Sequence, residues 1–279
     1  MLATLCLMLP RTGADGWLTG RGDGVGDTRS VDILYGRNPV LEALRAGRAA
    51  RKLVIASGTA ADSRIDEIRA LAEERGIPVE ESPRRRLDDI SHTEHHQGIA
   101  GYFHGRAPLT LDDLMAQARL PQLVVVLDGI QDPQNLGAII RTADAVGADG
   151  IVLPRHRAAG VTAAAAKASA GATEHVPVAV VTNLVQSLEQ MQAAGIWVVG
   201  LAADGPTRYD GFDFTIPVAL VVGAEGEGMR SLTRRHCDAV VSLPLAGRVS
   251  SLNAGAAAAV LLYEVARQRG FATREARDA

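Results

Sequence analysis

Three short stretches of the sequence carry the side chains best suited to chemistry, and each follows an apolar run typical of a buried strand. Asn135 and Arg141 follow the run 123–127, and the loop GAEGEGM (223–229) continues from the run 217–223. The turn SSLN (250–253) follows the run 239–245. None of the three contains a histidine, and arginine, with a pKa above about 12, is a poor proton acceptor. Amide, hydroxyl, carboxylate and guanidinium groups that follow strands in this way indicate where a polar ligand could bind.

The spacing of Asn135 and Arg141 allows both to flank one site. Asp132-Pro133 makes a turn, so Asn135 lies at or near a helix start, and Arg141 follows six residues later, less than two helical turns on. Gly137 between them lets another group approach the first turn. The alternative is a surface arginine on an amphipathic helix, and the local pattern alone favours that alternative.

The loop 223–229 places three glycines between a strand and a helix, where backbone N–H groups can meet a ligand. Its spacing, G-x-x-G-x-G, reverses the dinucleotide fingerprint, and Leu243 stands about 20 residues on, where that fingerprint needs an acid. Glu225 and Glu227 would also repel a pyrophosphate. The loop therefore favours an adenosine-bearing ligand without phosphates over NAD or ATP.

The turn 250–253 leads into the last long helix, which we expect to end at Gly270. Ser250 and Ser251 are expected to satisfy its first N–H groups. An apolar stripe then recurs at helical spacing along it: Leu252, Ala256, Val260 and Tyr263. The run 253–259 is almost entirely small, so another backbone can approach it closely. One interpretation is a tightly packed core helix, and the other is that the turn faces a ligand which the thin helix seals in.

Apolar runs in the second half of the chain predict the sheet that positions these stretches. Six strand candidates alternate with helical segments: 123–127, 150–154, 176–181, 196–202, 217–223 and 239–245. Continuous apolar strands that alternate with helices indicate a mainly parallel sheet covered on both faces. Ligands of such sheets bind beyond the carboxyl ends of the strands, which is where all three polar stretches lie.

The first part of the chain predicts a smaller α/β unit. Residues 1–30 are expected to form a flexible leader, because their end is glycine-rich and charged. A helix within 35–47 begins the structure, and strands are expected at 51–57, 77–81 and 98–103. The expected division continues with the small unit at 31–106, a linker with a short amphipathic helix at 107–120, the large unit at 121–270 and a tail at 271–279.

Two polar clusters in the small unit each have two interpretations. Arg84-Arg85-Arg86 is either a solvated loop or a patch that contacts phosphates. The segment SHTEHHQG (91–98) brings histidines and a glutamate together, but their spacing matches no standard metal site. A polar loop is the preferred interpretation of this segment.

The overall composition limits the class of protein and its location. A formal net charge of −3 over 279 residues argues mildly against a nucleic-acid binder, although an average does not exclude a local basic patch. Cys6 and Cys237 are too few for a disulfide framework or a zinc site and fit a reducing cytoplasm. The start MLATLCLMLP lacks the basic region of a signal peptide, and no stretch approaches the roughly 20 apolar residues of a membrane span.

Three blocks, in this order, resemble the motifs of the SPOUT superfamily, in its SpoU/TrmH branch of RNA ribose 2′-O-methyltransferases. They are LDGIQDPQNLGAIIRTADAVGADGIVLP, ALVVGAEGEGMR and LPLAGRVSSLNAGAAAAVLLYE. YGRNPVLEALRAG and HHQGIAGYF resemble the small substrate-binding domain of large-subunit (23S) rRNA guanosine 2′-O-methyltransferases in that branch. The resemblance covers roughly residues 31–270, and three long ordered motifs are far more specific than one glycine loop.

This resemblance implies a fold, a cofactor and partners. The large unit would carry a C-terminal trefoil knot that holds S-adenosylmethionine, and the small unit would be an L30e-like substrate-binding domain. The enzyme would bind RNA, with rRNA expected and neither DNA nor a membrane, and would act as a homodimer with the last helix in the interface. Positions that match the cofactor site are Gly223, Leu243 and Leu252, with Leu245 beside them, and positions that match the active site are Asn135, Arg141, Glu225, Ser251 and Asn253.

The implied reaction transfers a methyl group from a sulfonium to a ribose hydroxyl, which must lose its proton as it attacks. We expect Arg141 to clamp a phosphate and orient the substrate, and Glu225 to orient Arg141 or Asn135. Asn135, Ser251 and Asn253 would position the ribose. The alternatives are a tRNA 2′-O-methyltransferase and a non-catalytic RNA-binding factor for ribosome assembly. A nicotinamide dehydrogenase is disfavoured by the spacing of the glycine loop.

Overall fold

The computed structural model of the chain describes residues 30–60, 62–156, 158–248 and 250–271. The expected leader and tail lie outside these residues, except for Ser30 and Phe271. Two sheets account for all the strands of the described ranges.

The first part of the chain forms a small sheet with three helices. In chain order its elements are β1 (Val31–Tyr35), α1 (Arg37–Arg45), β2 (Ala50–Ala56), α2 (Ser63–Glu74), β3 (Val79–Ser82), α3 (Arg84–Ser91) and β4 (Ile99–His104). The strand order is β1-β4-β2-β3, with β4 antiparallel to both of its neighbours and β2 parallel to β3. The unit is therefore a mixed sheet, built from the three predicted strands and one more.

Two features of this unit differ from the sequence prediction. Strand β1 pairs along its whole length with β4, from Val31 opposite His104 to Tyr35 opposite Ala100. The sequence did not indicate it, because only two of its five residues are buried and it directly follows the glycine-rich leader. The arginine run 84–86 forms the first turn of α3 and not a loop, because the fully buried Leu87 anchors that helix to the sheet.

The second part of the chain forms a larger, wholly parallel sheet. Its elements are α4 (Leu111–Gln117), β5 (Leu123–Asp128), α5 (Pro133–Ala145), β6 (Gly150–Pro154), α6 (Ala163–Ala168), β7 (Val178–Val181), α7 (Leu184–Ala193), β8 (Trp197–Leu201), β9 (Thr207–Arg208), β10 (Val218–Gly223), α8 (Ser231–Arg235), β11 (Ala239–Ser242) and α9 (Ala254–Gln268). The strand order is β7-β6-β5-β10-β8-β11-β9, and every pairing is parallel. The predicted α/β class is confirmed, and all six predicted strands are present. The two-residue β9 is an additional edge strand, too short to leave an apolar run.

Helices cover both faces of this sheet, as its continuous apolar strands require. Alternate residues of β5 point to opposite sides: Val125 and Leu127 pack with α5 and α9, whereas Val124 and Val126 pack with α4 and α7. Leu114 of α4 is fully buried in the second of these cores, so the stretch expected as a linker packs against the large sheet. Among the helices of the described ranges, none combines the length and apolar character of a bilayer span.

The last helix begins later than the serine pair predicts. Helix α9 starts at Ala254, and Asn253 is its cap, because the Asn253 Oδ1 accepts a hydrogen bond from the Ala256 N–H at 3.1 Å. Its buried residues include Gly255, Ala258, Leu261 and Leu262. Val260 and Tyr263 are exposed, so the predicted apolar stripe lies on the outer face. The small residues do allow a close approach: a Cβ on Gly255 would lie 3.2 Å from the Ala138 Cβ of α5.

Helix α6 joins the two sheets. Ala165 belongs to the core of the large sheet, whereas the next residue, Ala166, packs into the core of the small one. Lys167 lies over the ring of Tyr35 in β1, 5.5 Å from its centroid. Gly137 of α5 is the close neighbour on the other side, since a Cβ there would lie 2.4 Å from the Cβ of Ala168.

A buried ion pair lies where the two units meet. The Arg48 Nη1 is 2.9 Å from the Glu174 Oε1, and these side chains are only 6% and 3% exposed. Arg48 also pairs with Asp32, and the Arg106 Nη1 lies 3.0 Å from the other Glu174 oxygen. Because an unpaired buried charge is very costly, this cluster ties the small unit to the segment that follows α6.

Candidate active site

A cavity of about 300 Å³ lies at the carboxyl ends of β8, β10 and β11. Its walls are the glycine loop, the segment 201–204 after β8, and the chain that leads into α9. The four residues that the sequence predicts for the cofactor all line it: Gly223, Leu243, Leu245 and Leu252. Leu245 and Leu252 remain partly exposed, and apolar surface turned into a concave cavity is typical of a small-molecule site.

The glycines of the loop are required by its own folding. A Cβ on Gly223 would lie 2.2 Å from the carbonyl carbon of Gly228 and from the nitrogen of Met229. Ala224 and Gly228 exchange two backbone hydrogen bonds, of 3.1 and 2.9 Å. Gly226 and Gly228 have φ values of 77° and 70°, which other residues rarely adopt. The loop therefore closes back on the end of β10 and forms a wall of the cavity.

A network of hydrogen bonds joins this wall to the first turn of α5. The Asn253 Nδ2 donates to the Asn135 Oδ1 at 2.8 Å and to the Glu225 Oε1 at 2.5 Å. The same Glu225 oxygen accepts from the Ala254 backbone N–H at 3.1 Å, at the start of α9. Three of the five residues predicted for catalysis are thus in direct contact, although they lie far apart in the sequence.

The other two predicted catalytic residues make no hydrogen bond to this network within the described part of the chain. Ser251 lines the cavity two residues before Asn253. Arg141 is exposed on α5, about 9 Å along the helix axis from Asn135, and its guanidinium has no ion pair with any described residue. The carboxylate of Glu225, which was expected to orient Arg141 or Asn135, binds Asn253 and reaches Asn135 through it.

Comparison with protein families matches both parts of the chain. Residues 122–263 match the model of the SpoU rRNA Methylase family, and residues 33–108 match a model described as RNA 2′-O ribose methyltransferase substrate binding. The chain belongs to the SpoU rRNA methylase family.

Relatives from two bacteria agree with this assignment. The uncharacterized tRNA/rRNA methyltransferase of Mycolicibacterium vanbaalenii is 48% identical over 251 aligned residues, with 87% of this chain and 78% of that protein covered. A Bacillus subtilis protein named as a tRNA/rRNA methyltransferase of the TrmH family is 44% identical, with 85% of this chain and 96% of that protein covered.

Solved structures of SpoU methyltransferases share the fold. AviRb from Streptomyces viridochromogenes, crystallised with AdoMet, superposes with a TM-score of 0.73 at 30% identity and covers 86% of this chain and 90% of its own. The AdoMet-bound rRNA methyltransferase of Sinorhizobium meliloti gives 0.71 at 29% identity, with 85% and 87% covered. Both likenesses extend over the small and the large sheet.

The SpoU chain also has acid–arginine pairs beside the cavity that the sequence did not predict. Asp128, the last residue of β5, binds Arg230, which follows the glycine loop. Asp204 and Arg234, which both line the cavity, form an ion pair of 2.7 Å. An acid directly after a buried strand was the one available signal for Asp128, whereas nothing in the local sequence indicates the partner of Asp204.

The histidine cluster of the SpoU chain serves its local fold. The Gly98 N–H donates to the His96 Nδ1 at 3.0 Å, so Nδ1 is unprotonated and Nε2 carries the hydrogen that faces the Asp88 carboxylate, also at 3.0 Å. Burial lowers the pKa of His96 and keeps the ring neutral. Among the described residues, no three His, Cys, Asp or Glu side chains are grouped to hold a metal.

Proposed function

We propose that this chain is an S-adenosylmethionine-dependent methyltransferase of the cytoplasm that modifies the 2′-hydroxyl of a guanosine ribose in 23S rRNA. One observation carries the proposal: Glu225 belongs both to the wall of the cavity and to the network that contains Asn253 and Asn135. A methyl donor in the cavity and a ribose bound at the network would therefore both lie next to the Glu225 carboxylate. The rRNA assignment rests on the family match and on the resemblance of the small unit to the substrate-binding domain.

The cavity suits this cofactor in shape and in charge. Leu243, Leu245 and Leu252 offer apolar surface for an adenine. The lining carries three carboxylates against one arginine, and that arginine is already paired with Asp204. The remaining carboxylates, Glu225 and Glu227, favour a ligand with cationic sulfonium and ammonium groups and disfavour a pyrophosphate.

The hydrogen bonds of Asn253 define which group is free to hold the substrate. Its Nδ2 donates to Asn135 and Glu225, and its Oδ1 accepts from Ala256, so both amide atoms are engaged. The Asn135 Oδ1 is also engaged, which leaves its Nδ2 without a partner among the described residues. Asn253 and Glu225 therefore act by fixing Asn135, whose amide N–H₂ donates to a ribose oxygen.

The chemical step needs an electrophile, an aligned hydroxyl and a route for one proton. The bound cofactor supplies the electrophilic methyl group. Asn135 and Ser251 hold the ribose so that its 2′-oxygen faces the methyl group in the cavity. The exposed guanidinium of Arg141 binds a neighbouring RNA phosphate. Because arginine stays protonated, the 2′-hydroxyl proton leaves to phosphate or water as the new bond forms.

The proposal extends to the domains and the assembly. Residues 31–106 bind RNA, 107–120 connect, and 121–270 carry the reaction, in line with the ranges of the two family models. The segment after β10 threads through a loop as a trefoil knot around the cofactor. Two chains associate through α9, on which Val260 and Tyr263 expose apolar surface.

Mapping of 2′-O-methyl groups tests the function. Total RNA from a deletion strain should lack one methyl in 23S rRNA, and the wild-type gene should restore it whereas the Arg141→Ala gene should not. A methyl missing from tRNA alone would replace the rRNA assignment with the tRNA alternative. Unchanged methylation together with a ribosome-assembly defect that Arg141→Ala corrects would favour a non-catalytic assembly factor.

A further inference from the structure

The carboxylate of Asp128 is a fully buried charge that the proposed reaction does not use. Its side chain is 0% exposed at the end of β5, where the strand register places it opposite Gly223, the first residue of the glycine loop. A buried carboxylate is strongly unfavourable unless it is paired and hydrogen-bonded. The hydrogen-bond partners of Asp128 therefore indicate its structural role.

Both oxygens of Asp128 bind a single residue, Arg230. The Oδ2 accepts from the Arg230 backbone N–H at 2.9 Å, and the Oδ1 accepts from Nε at 2.6 Å and lies 2.5 Å from Nη2. The backbone contact fixes the main chain at this point, and the guanidinium contact neutralises the buried charge. Asp128 thus holds the chain where it leaves the glycine loop.

The loop is held to the β5–α5 connection at two points. One is the contact between Asp128 and Arg230, and the other is Glu225, which reaches Asn135 through Asn253. Between these points the loop is exposed, apart from Met229, which is buried against Gly200 of β8. Without the contact between Asp128 and Arg230, Glu225 would still bind Asn253. The chain that follows the loop would no longer be fixed, and the wall of the cavity would shift.

We infer that Asp128 is a positioning residue for the cofactor, acting through Arg230 to fix the glycine loop that forms the cavity wall. The inference rests on the proposed function, since the loop is taken to bind S-adenosylmethionine. Asp128 does not line the cavity, and its side chain hydrogen-bonds to Arg230 and to no network residue of the described chain. Its effect should therefore appear in cofactor binding and not in RNA binding.

The test compares Asp128→Asn and Arg230→Met, singly and together, in the full chain. Asparagine keeps an oxygen for the backbone N–H but loses the charge, and the Arg230 guanidinium is half exposed, so water can take over its hydrogen bonds. Arg235→Met, on the exposed side of α8, is the matched control because it removes an arginine that has no buried ion-pair partner among the described residues. Calorimetry with S-adenosylhomocysteine, filter binding of the RNA, and KM and kcat for methyl transfer are the measurements.

Asp128→Asn should weaken S-adenosylhomocysteine binding and raise the KM for the cofactor about tenfold, with RNA affinity within about twofold of wild type. The double variant should be no weaker than Asp128→Asn alone, because both changes break one contact. Unchanged cofactor affinity in Asp128→Asn, additive losses in the double variant, or an equal loss in Arg235→Met would each overturn the inference. A wild-type chain that binds no S-adenosylhomocysteine would overturn the proposed function instead.

Discussion

Removal of the Glu174 carboxylate tests whether the two units fold as one structure. Glu174→Ala leaves Arg48 buried, and breaking such a pair costs about 3–5 kcal/mol. Arg48 keeps Asp32 and the His104 carbonyl as partners, so we place the loss of unfolding free energy nearer about 2–3 kcal/mol. The exposed pair of Arg45 and Glu67 gives the control.

Urea unfolding followed by circular dichroism and, with Trp17 replaced by phenylalanine in all variants, by fluorescence of Trp197 in β8 measures this loss. Wild-type transitions should coincide, whereas in Glu174→Ala the small sheet should unfold first and the two probes should separate. Glu67→Ala should cost less than about 1 kcal/mol and leave the transitions together, because that pair is 41% and 47% exposed. A Glu174→Ala variant within about 0.5 kcal/mol of wild type would refute the assignment of the cluster as the tie between the units.

Three further predictions concern the site and the small unit. Arg141→Ala should lower the methyl-transfer rate about hundredfold. Arg141→Lys should recover only part of that rate, because lysine lacks the planar guanidinium that binds two phosphate oxygens. Full activity of either variant under single-turnover conditions would contradict the assignment of Arg141 as a phosphate clamp. Gly223→Ala should abolish S-adenosylhomocysteine binding in calorimetry, because its Cβ would lie 2.2 Å from two backbone atoms of the loop; wild-type affinity would show that the loop is free to move. Burial lowers the pKa of His96 in the folded state, so its stabilising contribution should be complete above the unfolded value near 6.5 and decline as pH falls below it. His96→Gln should flatten the fall in stability between about pH 7 and pH 5, measured by urea unfolding, and an unchanged slope would contradict this assignment.

The parallel sheet was predictable from the sequence because its signals are local, and six of its strands left apolar runs. The cavity-lining residues Gly223, Leu243, Leu245 and Leu252 were predicted from the resemblance of their segments to the SpoU/TrmH motifs. Strand β1 left a weak signal, because its stability comes from pairing with β4, about 70 residues later in the chain. Local patterns carry no information about that kind of pairing.

The contacts within the site were less predictable than its residues. Two serines suggested a cap for α9, but the cap requires a side chain that reaches the third N–H of the helix from a non-helical backbone, and Asn253 has that geometry. The choice of Asn253 as the partner of Glu225 depends on how two loops meet across the cavity. The contact of Asp128 was not predictable for the same reason, since its partner Arg230 lies beyond the glycine loop.

The place of α6 between the sheets sets a limit on how the RNA-binding unit can be exchanged. Ala166 and Lys167 of this helix contact the small sheet, and Glu174 soon after it holds Arg48, yet all three follow the segment 107–120 in the chain. A chimaera joined within that segment would carry a foreign small unit without the residues of its own α6 region that pack against it. The residues that support the small unit are therefore discontinuous in the sequence. A graft that changes RNA specificity has to carry α6 and its following turn along with the N-terminal residues.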